Sequence, residues 1–112
     1  MKNITIPFSR EMAIAAIEGR KVATTRGEEK GEIGDEFDIR EPRDDEDHFA
    51  GDGYTYRLIE IMATDLETVA NLYFRLEGFN SPDEFRATWR ALHRGHYTPD
   101  KLYYMHVFGR VA

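Results

Sequence analysis

The chain has no cysteine among its 112 residues. Disulfide bridges and cysteine-ligated zinc sites are therefore excluded, and a reducing compartment is allowed. It has no apolar run long enough to cross a bilayer and no apolar leader after Met1, so a cytoplasmic protein away from membranes is expected. It has no excess of positive charge either. The formal net charge is -6, which argues against a broad grip on duplex DNA. Repeats and low-complexity segments are absent as well. What is present is a hydrophobic fraction of 41% with 12% aromatics, enough for a core, in a length that suits one domain spanning residues 1–112.

Apolar alternation at Ile4, Ile6 and Phe8 predicts a short strand ended at Pro7-Phe8. Ser9 is a helix N-cap ahead of the stripe Met12, Ala13, Ile14, Ala16 and Ile17, and Gly19 ends that helix. A β-branched run predicts a strand over 22–26, followed by a charged loop over 28–32. Gly34-Asp35 opens a strand over 36–40. Glu41 to Gly53 is polar and reads as a surface loop or the ends of a hairpin, with the acidic run Asp44 to Asp47 at its centre. A long strand is expected over 54–63.

Thr64-Asp65-Leu66-Glu67 has the form of a capping box, and its helix buries Leu66, Val69, Ala70, Tyr73 and Leu76 before Gly78 ends it. Ser81-Pro82-Asp83-Glu84 is a second such box, with Pro82 at the first helical position and a stripe of Phe85, Trp89 and Leu92 stopped by Gly95. A closing aromatic strand covers 101–111. Five short strands with helices at two points predict a small α+β domain with a twisted, barrel-like sheet.

One stretch runs against the acidic background. Arg20, Lys21, Thr24, Thr25 and Arg26 place three cations and two hydroxyls within seven residues. A lysine beside a hydroxyl can activate an oxygen nucleophile if burial or a nearby cation lowers the lysine pKa. The plainer alternative is that Arg20 and Lys21 complement a helix C-terminus while Thr24 fills a strand position. An ideal strand sends Lys21 and Thr24 to opposite faces. They converge only if Lys21 lies at the bend before the strand or reaches round on its stem.

Glu77 sits at the expected carboxyl end of a helix, where a carboxylate opposes the dipole at a cost of about 0.3–1 kcal/mol. A residue set against local preference is a candidate for function. His93 and His96 stand three apart, but no third ligand accompanies them and no metal or other cofactor is expected. His106 reads as a packed or hydrogen-bonded strand residue, and His48 carries no motif. Phe8, Phe79, Tyr97, Tyr103 and Tyr104 fall near segment ends, where aromatics can line a cleft and stack on bases.

The chain resembles an ASCH domain. The resemblance rests on Gly19-Arg20-Lys21 with Thr24 and Arg26, on Gly34-Asp35, on Glu77-Gly78-Phe79 with Ser81 to Phe85, and on Trp89 and the closing aromatic strand. It implies a PUA-like mixed β-barrel with helices packed around it and a cleft facing a nucleoside or single-stranded RNA. The short bacterial N(4)-acetylcytidine amidohydrolases are similar in length. That likeness implies catalytic roles for Lys21 as base, Thr24 as nucleophile and Glu77 in proton transfer, with Arg26, Arg20, Phe8 and Phe79 binding substrate. Thr25 stands where those enzymes carry an aliphatic residue.

Two other functions fit the same cleft: a non-catalytic RNA-binding module, and a ribonuclease using Lys21 and Arg26 on phosphate charge. The acidic balance favours a small substrate over a long strand, which needs a basic track.

Overall fold

The structure is a computed structural model that describes residues 1–42 and 49–111. The acidic run Asp44 to Asp47 and His48 lie outside the described residues. Helix α1 (Arg10–Ile17) is followed by strands β1 (Ala23–Arg26), β2 (Glu36–Pro42) and β3 (Phe49–Asp65). Helices α2 (Leu66–Leu72) and α3 (Pro82–Leu92) come next, and β4 (Leu102–Arg110) closes the chain. The strands form one sheet in the order β1-β4-β3-β2, antiparallel throughout and curled into a half-barrel.

The architecture is the expected α+β class, with one strand fewer among the described residues. Residues 3–8 make only a parallel bridge from Asn3 to Glu36. Ile4 N donates to Glu36 O and Glu36 N donates to Lys2 O, both at 2.8 Å. Pro7 cannot donate to a ladder, and the chain turns at once into the Ser9 cap, so no longer pairing can form. Asp35 fastens this edge, its carboxylate accepting from Glu32 N at 2.9 Å and Lys2 N at 3.0 Å. These backbone donors hold its pKa below the usual carboxylate value.

β3 runs longer than the expected 54–63 and serves two partners. Its first half pairs β2, and its second half pairs β4 as far as Asp65 opposite Leu102. Tyr56 and Arg57 pair with both, and a register shift between Leu58 and Glu60 marks a bulge within the β4 ladder. Because Thr64 is still paired, opposite Tyr103, the N-cap of α2 falls to Asp65 instead, whose carboxylate accepts from Thr68 N at 2.8 Å. Ser9 and Ser81 cap α1 and α3 as expected, accepting from Met12 N and Glu84 N.

β4 divides the core by its alternation. Tyr103 and Met105 pack with Ala23, Leu66, Val69, Phe79, Phe85 and Trp89 on one face. Phe108 packs with Phe37, Ile39, Tyr56, Leu58 and Ala13 on the other. Leu92 and Leu76 depart from their expected burial. Leu92 is 57% exposed at the end of α3, and α2 ends at Leu72, leaving Leu76 in the turn behind it, 37% exposed. Glu67 joins the two helices, accepting from Arg86 of α3 and from the Tyr97 hydroxyl. These bonds pull its pKa down to about 2 and hold residue 97 against α2. Among the described residues no helix is long and apolar enough to cross a membrane.

Candidate active site

Lys21 lies in the bend between α1 and β1. Its backbone N–H donates to Ala15 O at 3.1 Å, the carbonyl that also takes Arg20 N as the helix unwinds. The turn after α2 docks alongside. Leu76 O accepts from both Val22 N at 2.7 Å and Ala23 N at 3.0 Å. These bonds fix Glu77 opposite Lys21. Gly78 allows the approach: it sits at φ 98°, and a Cβ there would stand 3.1 Å from Lys21 Cβ. That backbone conformation favours glycine, and so does the contact.

The result is a buried ion pair. Lys21 Nζ donates to Glu77 Oε1 and to Glu77 O, each at 3.1 Å, and the two residues are 3% and 4% exposed. Glu77 Oε2 accepts from the Thr25 hydroxyl at 2.8 Å. Burial pushes the Lys21 pKa down, and the Glu77 carboxylate only partly opposes it. Glu77 is thus in a buried turn and not at a helix end, which explains a glutamate that local preference disfavours.

Thr24 faces away from this cluster. Its hydroxyl accepts from Arg26, whose guanidinium also donates to Thr25 O at 3.0 Å and Pro7 O at 2.6 Å. Its carbonyl meets His106 Nδ1 at 3.2 Å, while His106 Nε2 accepts from Lys30 N at 3.0 Å. A ring nitrogen that accepts from an amide carries no proton, so the buried His106 is neutral with its proton on Nδ1. Burial is the main cause that lowers its pKa.

These groups open onto a cleft of about 270 Å³. Lys21, Thr24, Thr25, Arg26, Glu77 and Phe79 all line it, together with Trp89 and Tyr103. The structure therefore gathers five of the seven anticipated site residues at one cavity. Arg20 and Phe8 stand outside it. Arg20 is 56% exposed and pairs with Glu18 at 2.6 Å. Phe8 packs on Phe37 and Phe108 in the second core, with Arg26 over its ring.

Thr25 and Trp89 were not anticipated as site residues, whereas Tyr103 is one of the aromatics expected near a cleft and does line it. Strand parity carried the signal for Thr25, since it puts Lys21, Ala23 and Thr25 on one face. Trp89 reads as core from its apolar stripe, and both it and Tyr103 belong to the core while also lining the cleft. Among the described residues no group of three or more His, Asp or Glu is placed to hold a metal ion.

Solved structures share this architecture. An ASCH domain from Lactobacillus crispatus JV V101 superposes with a TM-score of 0.63 at 14% identity, covering 97% of this chain and 78% of its own. The chain has the fold of an ASCH domain. A protein of the DUF984 family from Enterococcus faecalis V583 gives a TM-score of 0.62 at 17% identity, over 98% of this chain and 75% of that one. At these identities the ASCH likeness is one of fold. Neither a protein-family model nor a curated protein sequence matches the chain.

Proposed function

We propose that the cleft hydrolyses an amide carried by a nucleobase, with the acetyl amide of N(4)-acetylcytidine as reference substrate. The observation that carries this reading is the buried chain of hydrogen bonds from Thr25 through Glu77 to Lys21 at the cleft wall. A hydroxyl, a carboxylate in contact with its proton, and a lysine whose charge is disfavoured by burial are the parts that acyl transfer requires.

In this reading the threonine oxygen attacks the acetyl carbonyl while its proton passes to Glu77. The C–N bond then breaks, and the amino nitrogen leaves with a proton from the Lys21–Glu77 pair. An acetyl ester remains on the threonine. Water attacks it, releases acetate and restores the hydroxyl. The hydrogen bonding favours Thr25 over Thr24 for the attack, because Thr25 already donates to a base whereas Thr24 accepts from Arg26. Arg26, anchored on the Pro7 and Thr25 carbonyls, positions β1 against the 7–9 segment.

The aromatic edges of Trp89 and Tyr103 in the same cleft also favour a second reading, a module that binds a base without chemistry. Incubating the protein with N(4)-acetylcytidine separates the two. Release of cytidine that is lost in Lys21→Ala and Glu77→Ala supports the hydrolase. No turnover, with salt-dependent retention of single-stranded RNA, leaves the binding module.

A further inference from the structure

The region after α3 reverses the charge of the molecule. Residues 93–101 carry two Lys/Arg, Arg94 and Lys101, two histidines and one carboxylate, Asp100, in a chain of net charge -6. His93, Arg94, His96, Thr98 and Lys101 line a second cleft of about 340 Å³, which shares Trp89, Leu92, His93 and Tyr103 with the first. The two cavities therefore lie side by side along these shared side chains.

Three observations show a built surface. His93 stacks on Trp89 with ring centroids 4.1 Å apart, and its Nδ1 meets Trp89 O at 2.8 Å. A carbonyl can only accept, so Nδ1 holds a proton and Nε2 is left without a partner among the described residues. Lys101 sits over the ring of the shared Tyr103 at 5.1 Å. Arg94 has φ 56°, the one non-glycine residue among those described with a positive φ. Arginine does not favour that conformation, and the next residue, Gly95 at φ 84°, shows what does. Among the described residues the Arg94 guanidinium has no hydrogen bond or ion pair, while its neighbour Arg90 is engaged over Tyr97.

We propose that this second cleft is a phosphate subsite, gripped by Arg94 and Lys101 beside the His93 ring, so that the molecule entering the first cleft is a nucleotide and not a free nucleoside. The idea rests on the nucleobase reading of the first cleft. A small cationic pocket suits one phosphate without the long basic track that a strand demands.

The experiment compares KM for N(4)-acetylcytidine and its 5′-monophosphate. The nucleotide is expected to have the lower KM, by at least tenfold, and Arg94→Ala/Lys101→Ala to bring that ratio close to one. Arg94→Gly provides the control for folding. It relieves the positive φ, so its melting temperature rises while the nucleotide preference falls. If neither compound is hydrolysed, titration with cytidine and with cytidine 5′-monophosphate, read by the imidazole NMR signals of His93 and His96, tests the subsite apart from the chemistry. Tighter binding of the monophosphate, weakened in Arg94→Gly, supports it. Equal KM values, equal affinities or no binding of either overturn it. A third arm uses a short cytidine-containing oligonucleotide. Binding tighter than the monophosphate, with the same loss in Arg94→Gly, makes a strand phosphodiester the source of the phosphate.

Discussion

The hydroxyl of Thr25 donates to Glu77 Oε2 at 2.8 Å, while Lys21 occupies the other oxygen of the same carboxylate. In the proposed mechanism this carboxylate stands between the attacking hydroxyl and a proton donor. Thr25→Val removes the attacking oxygen of the proposed mechanism along with its proton transfer, and is expected to reduce kcat on N(4)-acetylcytidine by more than the roughly 10²–10⁴-fold that loss of a positioned proton transfer alone costs. Thr25→Ser keeps most of the rate, and Thr24→Val has the smaller effect. The opposite order, measured by initial rates, would move the attack to Thr24, the residue that the amidohydrolase resemblance implies.

The Lys21–Glu77 pair is buried on both sides, so its halves are unequal to its whole. Lys21→Met leaves a carboxylate without its counter-charge and is expected to cost about 3–5 kcal/mol of stability. Combining it with Glu77→Leu recovers much of that loss while activity stays absent. Urea denaturation of the two variants checks this. A single variant as stable as the parent would show that the pair is not a desolvated one.

Gly78 ties the backbone of the turn to Lys21. Gly78→Ala adds a methyl 3.1 Å from Lys21 Cβ at a φ of 98°. The left-handed conformation alone costs about 1–2 kcal/mol. Relief of the contact moves Lys21 or the turn, so activity falls more than stability does. Thermal melting and kcat, measured together, test the split.

His106 supplies a pH dependence with a definite sign. Burial and the nearby Arg26 lower its pKa, while the Thr24 and Tyr104 carbonyls and Glu29 raise it in part. Protonation therefore favours the unfolded chain, where histidine titrates near about 6.5. The stability it contributes is complete above that value and is lost as pH falls through the lower folded value. Urea midpoints are expected to drop between about pH 7 and pH 5, and to drop less in His106→Gln. Parallel pH profiles for the two proteins would remove His106 as the cause.

Much of the architecture was legible in the chain because local rules agreed. Ser9, Ser81 and Pro82 mark helix starts by their own chemistry, and the alternation of Phe37 and Ile39 sets a buried face. What misled was context. Thr64 looks like a cap until β4 extends the ladder past it, and residues 3–8 look like a strand until Asp35 and the Ser9 turn limit their pairing. At the site, Lys21 and Glu77 stood out as residues against their surroundings, and they are 56 positions apart yet bonded. Thr25 needed strand parity to be preferred over Thr24. Trp89 could not be told from core by apolar spacing, because it is a core residue that also lines the cleft.

The central claim is that the Glu77 carboxylate drives hydrolysis of a base-linked acetyl amide. The most direct measurement is the initial rate of cytidine release from N(4)-acetylcytidine by the parent protein and by Glu77→Gln, which keeps the shape and removes the charge. The parent is expected to turn over and the variant to fall at least about 100-fold with its circular dichroism unchanged. Equal rates in the two, or no release by a folded parent protein, would contradict it.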